Sequence, residues 1–372
     1  MNSDHNNKGL NPSSQCRLVD KKESGKRYLW RIKKLFNGLF ADSMTSFPEA
    51  WSANTINRVQ DCSSYLKFIE CTVNRNDPKK LIDANFCKHP LCPGCQKRRQ
   101  MKNFSNTVKV LHYLREQEKN YEYILLTLTT PNVQLKDLKE EIRHYFKSWG
   151  RLKARTEVKK IMKGFVRTLE ITYNDQTDSY HPHIHALIAV NKSYFSDKTY
   201  IKRDRWLQLW QESTRQPEIT QVDVRKVKKN LSPDDPDGTL GISREICKYL
   251  TKEWSKDAEK EFIKHPELID YGLKGHIWIR DTKEETARVV EGLAHAIKGQ
   301  RLFEFGGVLK EAKAELKLQD SEDEDADLVN TGEEQTGCQC AVCGGDMQET
   351  VYTWYSRNKD YYAQSSTPYV PP

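Results

Sequence analysis

The chain has 372 residues, enough for two domains or one large domain with appendages, and its 37% hydrophobic against 30% charged residues predict disordered ends around a folded centre. The net charge of +8 hides an asymmetry: residues 311–334 hold ten acidic residues and two lysines, a net of −8, so the rest carries +16 and suits a polyanionic partner. No eighteen apolar residues run together and residues 1–15 lack the apolar core of a secretory signal, which argues against a membrane or secreted protein and predicts a cytoplasmic one.

In chain order, residues 1–55 read as a flexible basic leader, interrupted by a short basic amphipathic helix at 28–36. From residue 56 to 118 the chain changes to a cysteine-rich module. In a reducing compartment its cysteines read as metal ligands rather than disulfides. Cys92-Pro-Gly-Cys95 is a metal knuckle, and Cys87 with either Cys62 or Cys71 completes a tetrahedral thiolate site for a structural zinc ion. The basic run Lys97, Arg98 and Arg99 follows at once and continues into an amphipathic helix through Met101, Phe104, Val108, Leu111 and Leu114, a candidate surface for DNA phosphates.

Residues 119–310 alternate strands and helices without regular βαβ order, which predicts an α+β domain with an antiparallel sheet covered by helices on one face. The strand at 123–130 places Thr127 and Thr129 on one side, within reach of DNA. A helix is marked by Leu138, Ile142, Phe146, Trp149 and Leu152. The strand at 164–173 sets Phe165, Leu169 and Ile171 against Val166, Thr168 and Glu170, and the strand at 180–190 lines up His181, His183 and His185 opposite Ile184, Ala186 and Ile188. Imidazoles two residues apart on a rigid strand can converge on one divalent cation, with Glu170 or His181 as the third ligand.

Tyr194, Phe195, Tyr200, Trp206 and Trp210 sit among basic residues, a mixture that can stack bases, while the i, i+4 spacing of the two tryptophans also fits a helix core. Further strands are predicted at 218–227 and 276–280. Between them, Ile242, Ile246 and Leu250 recur at helical spacing beside a polar face of Glu245, Tyr249 and Lys252. A carboxylate, a phenol and an ammonium on one face, near a cation, are the parts of a phosphodiester cleavage by covalent attack. A closing helix spans 286–298, and the glycine pair Gly306-Gly307 reads as a turn. Residues 311–335 form an acidic linker by composition. The 336–372 tail carries Cys338, Cys340 and Cys343, half of a zinc ribbon that needs a ligand from elsewhere.

These pieces resemble, in order, the rolling-circle replication initiators of small bacterial plasmids, members of the HUH endonucleases with an RRM-like palm. The matching residues are Arg58 with Cys62 and Leu66-Lys-Phe68, the 84–95 cysteine segment, Leu126-Thr-Leu-Thr-Thr-Pro-Asn132, His181-Pro-His-Ile-His185, Glu245-Ile-Cys-Lys-Tyr249, and Arg301 with Phe305-Gly-Gly307. The resemblance selects Cys62 over Cys71 and makes His183 and His185 the central metal pair, holding Mg2+ or Mn2+. It implies that Tyr249 nicks one strand at a plasmid origin, keeps the 5′ phosphate and leaves a 3′ hydroxyl primer, and that Glu245 activates water at termination. Origin DNA, single-stranded or extruded as a hairpin at the nick, is then the substrate, with host helicase and DNA polymerase as partners. Lys97 departs from the aromatic usual after the last zinc cysteine, and the tail beyond residue 330 has no counterpart in the family pattern.

Two other functions use parts of the same pattern. A conjugative relaxase or single-strand transposase shares the chemistry but acts on a transfer origin or element ends. A non-catalytic, zinc-dependent DNA-binding regulator would use only the cysteine module and the basic helix, and leaves the histidine row and the Glu245 and Tyr249 face unexplained.

Overall fold

The computed structural model describes residues 16–18, 22–23, 26–27, 30–74, 79–174, 176–228, 232–233, 235, 238–247, 283–332, 337 and 339–370. Tyr249, Lys252, Cys338 and the strand expected at 276–280 lie outside them. In chain order the elements are β1 (Lys22–Glu23), β2 (Lys26–Arg27), α1 (Trp30–Met44), α2 (Ala53–Asp61), β3 (Tyr65–Cys71), β4 (Lys80–Ala84), α3 (Pro93–Glu116), β5 (Tyr121–Thr129), α4 (Leu138–Ala154) and α5 (Thr156–Ile161). There follow β6 (Gly164–Asn174), β7 (Ser179–Asn191), α6 (Arg203–Thr214), β8 (Val222–Lys226), α7 (Thr239–Cys247), α8 (Lys283–Ile297), β9 (Phe303–Gly307), α9 (Val308–Glu315), β10 (Met347–Tyr355) and β11 (Asp360–Pro368). No described helix is long and apolar enough to cross a membrane.

The chain forms two compact units, each discontinuous in sequence. One comprises Met1–Asp42, Ser52–Arg98 and Asp327–Pro372. Its sheet has the order β11-β10-β3-β4, all antiparallel, so the C-terminal hairpin is an integral part of the cysteine module. The sheet closes over Leu66, Phe68, Leu81, Tyr352 and Tyr361, with Trp30 of α1 packed into the same cluster. The helix expected near residue 30 is therefore longer than its basic stretch suggested, because Phe36, Phe40 and Met44 bury the turns that follow.

The other unit comprises Ser43–Trp51 and Arg99–Ala326. Its sheet order is β8-β5-β7-β6-β9, antiparallel throughout. The period-two pattern of β6 and β7 holds, with Glu170 paired to His183 and Thr168 to His185. On the Ile184 face, α4 buries Leu138, Ile142, Tyr145, Trp149 and Leu152, with Glu140 and Glu141 in its first turn and Arg151 and Lys153 in its last, charges that complement the helix dipole. Trp149 meets Phe165 edge-on at 5.2 Å, and Trp206 and Trp210 of α6 are wholly buried, so these tryptophans are core rather than base-stacking groups.

Helices were expected on one face of this sheet, but they lie on both. Leu125, Val166, Leu187 and Ala189, which share the histidine face, are buried against Val110, Leu111 and Leu114 of α3, Ile242 and Ile246 of α7, and Leu309 of α9. The reason is the composition of that face: it is apolar from Leu187 onward and polar only at the histidine end.

The glycine pair is not a turn, as its sequence suggested, but the end of an edge strand, with Gly306 paired to Phe165 and Gly307 to Gly164. A Cβ on Gly306 would fall 2.1 Å from the Phe165 ring, and Gly307, at φ +58°, carries the chain into α9. The acidic segment is likewise packed. Ser321 Oγ donates to Asn103 Oδ1 at 2.7 Å, Asp320 takes an ion pair from Lys313 at 2.9 Å, and Glu322 accepts from the Leu302 and Phe303 amides, both at 3.0 Å.

Candidate active site

Adjacent strands β6 and β7 bring Glu170, His183 and His185 together at the polar end of the sheet, all three buried. One carboxylate oxygen, Glu170 Oε2, lies 2.9 Å from His183 Nε2 and 2.8 Å from His185 Nε2. Burial alone would raise the Glu170 carboxyl, but its hydrogen bonds to His183 and His185 outweigh that and lower it to about 2. Glu170 is an anion at any neutral pH.

The far nitrogens of both rings are engaged. His183 Nδ1 lies 3.1 Å from the His181 carbonyl, and His185 Nδ1 lies 3.0 Å from Thr127 Oγ1 on β5. A carbonyl only accepts, so His183 Nδ1 donates to it, and Nε2 is the atom turned toward Glu170. At 2.9 Å the nitrogen and the carboxylate oxygen are held together by a proton or, equally well, by a cation between them. Ligand atoms at right angles and about 2.1 Å from a cation stand about 3 Å apart, so this set fits a divalent ion. Far-side contacts of this kind fix the tautomer and aim of metal-binding imidazoles.

His181 is less engaged. Its ring centroid lies 5.4 Å from that of His183, but it is not among the converging groups, and its Nε2 is buried with no hydrogen-bond partner among the described residues. Burial, then the neighbouring His183, lower its pKa. Of the two threonines expected to touch DNA, Thr127 instead orients His185, and Thr129 Oγ1 donates to the Gln221 carbonyl at 3.4 Å. Thr168, directly opposite His185, has a buried hydroxyl with no partner among the described residues and was not singled out in the sequence.

Helix α7 packs on β6 and β7 through Ile242 and Ile246 and carries Glu245 in its last turn. Tyr249 and Lys252 follow it in sequence, outside the described residues.

In the cysteine module, Cys62, Cys87, Cys92 and Cys95 are buried and converge. Their sulfurs are 3.6 Å apart for Cys62 and Cys95, 3.7 Å for Cys87 and Cys95, and 3.6 Å for Cys62 and Cys92. Tetrahedral sulfurs about 2.3 Å from zinc stand about 3.7 Å apart, so the group fits Zn2+. Contacts with Cys62, Cys92 and Cys95 hold the Cys87 thiol well below the usual range, whereas contact with Cys87 raises Cys62 and burial raises Cys92. The segment 87–89 also supplies amide donors: Cys87 N–H to Cys62 Sγ, Lys88 N–H to Cys95 Sγ and His89 N–H to Cys87 Sγ.

Sequence reasoning missed the support that α1 gives this site. Asn37 is fully buried, accepts from the Gly94 amide at 3.2 Å and donates to the Cys62 carbonyl at 3.3 Å, so one amide ties both halves of the thiolate set. Lys34, also buried, donates to the Gln60 carbonyl, and its charge faces Cys62. Of the basic run, Arg98 is 2% exposed and donates to the Leu328 and Val329 carbonyls, which leaves it no surface for a phosphate. Arg99 donates to the Ser321 carbonyl at 3.1 Å, and Lys97 is half-buried.

A family profile described as "Replication protein" matches residues 78–362. The chain is 31% identical over 350 residues to "Protein rep" of Streptococcus pneumoniae, covering 94% of this chain and 96% of that one. It is 32% identical to "Protein rep" of Bacillus amyloliquefaciens over 92% of this chain and 96% of that one, and 45% identical to "Protein rep" of Staphylococcus aureus over 48% of this chain and 76% of that one. No solved structure matches. The order of motifs along the chain agrees with the family profile and with the two likenesses that cover more than nine-tenths of it, and the chain belongs to the replication protein family, that of the plasmid rolling-circle initiators.

Proposed function

We propose that this replication protein is a metal-dependent, site-specific DNA endonuclease and strand transferase that starts rolling-circle copying by nicking one strand of the plasmid origin. The observation that carries the reading is the convergence of His183 Nε2, His185 Nε2 and Glu170 Oε2 at the polar end of the sheet on which α7 packs. His183, His185 and Glu170 would hold a divalent cation, for which Mn2+ would suit the two imidazoles better than Mg2+, and the chemistry it would supply is polarisation of the scissile phosphate.

The chain's own residues do the rest. The Tyr249 phenol gives its proton to solvent water and attacks phosphorus; the new bond joins its oxygen to the 5′ phosphate, the bond to the 3′ oxygen breaks, and that oxygen takes up a proton from water to leave a 3′ hydroxyl primer. Lys252 offsets charge at the phosphate. At termination Glu245 takes a proton from the water or hydroxyl that displaces Tyr249, which releases or rejoins the strand. Single-stranded or hairpin-extruded origin DNA is the substrate, Lys97 and Arg99 contribute phosphate contacts, and host helicase and DNA polymerase extend the primer in the cytoplasm.

The test is nicking of a supercoiled plasmid that carries the cognate origin, with and without chelator, followed by mapping of the peptide attached to DNA. The expected result is chelator-sensitive nicking and an adduct at Tyr249, both lost in Tyr249→Phe. Cutting and adduct formation by Tyr249→Phe overturn the nucleophile. Origin binding that survives His183→Ala and His185→Ala, with no nicking by the wild type at any metal concentration, overturns the enzyme.

A further inference from the structure

The cysteine module holds a second cluster of sulfurs. Cys71, at the end of β3, meets Cys340 and Cys343, which approach β10 on a tight loop; one sulfur from each lies within 4.8 Å of the others. Cys71 and Cys343 are 272 positions apart in sequence, yet their sulfurs are 3.3 Å apart. A disulfide needs about 2.05 Å and takes two sulfurs, not three. No disulfide joins any described cysteine.

The backbone around these sulfurs is built as it is around the first cluster. In the first, Cys87 is followed by Lys88 at φ +59°, and the next amide, of His89, donates to the Cys87 sulfur. In the second, Cys343 is followed by Gly344 at φ +71°, and the next amide, of Gly345, donates to the Cys343 sulfur. The loop is closed by Cys340 N–H to the Gly345 carbonyl at 2.7 Å and Gly344 N–H to the Cys340 carbonyl at 2.8 Å. The Asn74 amide points at Cys71 Sγ at 3.5 Å. Amides aimed at sulfur stabilise thiolate over thiol, and thiolate is the form that binds metal. Cys71 and Cys340 are buried beside Ile69 and Met347, an apolar wall that limits water at two of the three sulfurs.

We propose that Cys71, Cys340 and Cys343 bind a second zinc ion, which fastens the C-terminal hairpin to the end of β3. Three thiols give up their protons to solvent and three thiolates bind the ion, with water or a further thiol of this chain as the fourth ligand. The tail's cysteines are thus one half of a site whose other half is Cys71, the residue left over once Cys62 joins the first cluster. Zinc here closes a loop of more than 260 residues around the hairpin, tying together strands that meet only in the folded chain.

The test counts thiolate-bound zinc in the full-length protein, purified under reducing conditions, by titration with an organomercurial and a colorimetric zinc indicator. A mercurial displaces zinc from sulfur and leaves a histidine and carboxylate site alone. Two zinc ions per chain are expected in the wild type and one in Cys343→Ser, which alters an exposed residue and leaves the first cluster intact. Cys340→Ser should also give one, and its retained zinc shows that the module still folds. A wild-type count of one that stays at one in both variants overturns the proposal, and so does recovery of a Cys71–Cys343 disulfide peptide from freshly lysed cells.

Discussion

Thr127 Oγ1 stands 3.0 Å from His185 Nδ1, on the strand beside the one that carries the histidines. That contact holds the orientation of the imidazole. Thr127→Val keeps the β-branched shape and removes the hydrogen bond. The expected outcome is a metal affinity weaker by about 10- to 100-fold, the usual effect of losing such a support. Nicking should fall at limiting Mn2+ and recover at saturating Mn2+, with the covalent adduct unchanged in position. A loss that saturating metal does not repair would show that Thr127 acts on DNA rather than on His185.

Asn37 predicts a separate failure. Its side chain satisfies the buried Gly94 amide and Cys62 carbonyl at once. Asn37→Ala leaves both without that partner, at a cost of about 2–3 kcal/mol. Zinc loss from the first cluster to a chelator should be faster in Asn37→Ala, whereas the zinc assigned to Cys71, Cys340 and Cys343 should be retained. Equal release from both clusters would mean that the substitution unfolds the whole module.

What was legible in the sequence follows from the range of the physics involved. The alternation of β6 and β7 is local, so the facing of Glu170, His183 and His185 could be read from period two alone. The knuckle at Cys92 and Cys95 is local as well. Asn37 could not be found this way, since a lone asparagine in a basic helix has no signature until α1 meets the thiolates. Cys71 looked like a rival of Cys62, and only the pairing of β3 with β10 shows that it meets Cys340 and Cys343. Arg98 read as a phosphate contact because charge suggests exposure, but the carbonyls of Leu328 and Val329 had claimed it. The glycine pair reads as a turn in sequence because glycine marks turns far more often than strand ends that must pass a phenyl ring.

That ring gives a third prediction. A Cβ on Gly306 would lie 2.1 Å from the edge of Phe165, which is itself braced by Trp149 at 5.2 Å. Neither ring can retreat without opening the core, so Gly306→Ala should cost about 1–3 kcal/mol. The melting temperature should fall by several degrees, while metal affinity, set at the other end of β6, should change little. Restoring space with Phe165→Leu in the same chain should recover part of the loss; no recovery would place the strain elsewhere.

Glu322 supplies the pH dependence. Burial, then repulsion from Asp320, push its carboxyl up to about 7, against 4.5 for an ordinary glutamate. Between those two values the folded chain holds a proton that the unfolded chain has released, so stability falls as pH rises through that window and the loss is complete above it. The group is partly exposed, which reduces the effect to on the order of 1–2 kcal/mol. Glu322→Gln cannot titrate, and one of its two amide acceptors, toward Leu302 or Phe303, is replaced by a donor. The variant should therefore be less stable than the wild type at pH 5, with the gap closing by pH 8. Denaturant midpoints of both proteins across that range check the sign, and a gap that stays constant from pH 5 to pH 8 would mean that Glu322 is already ionised in the folded chain at pH 5.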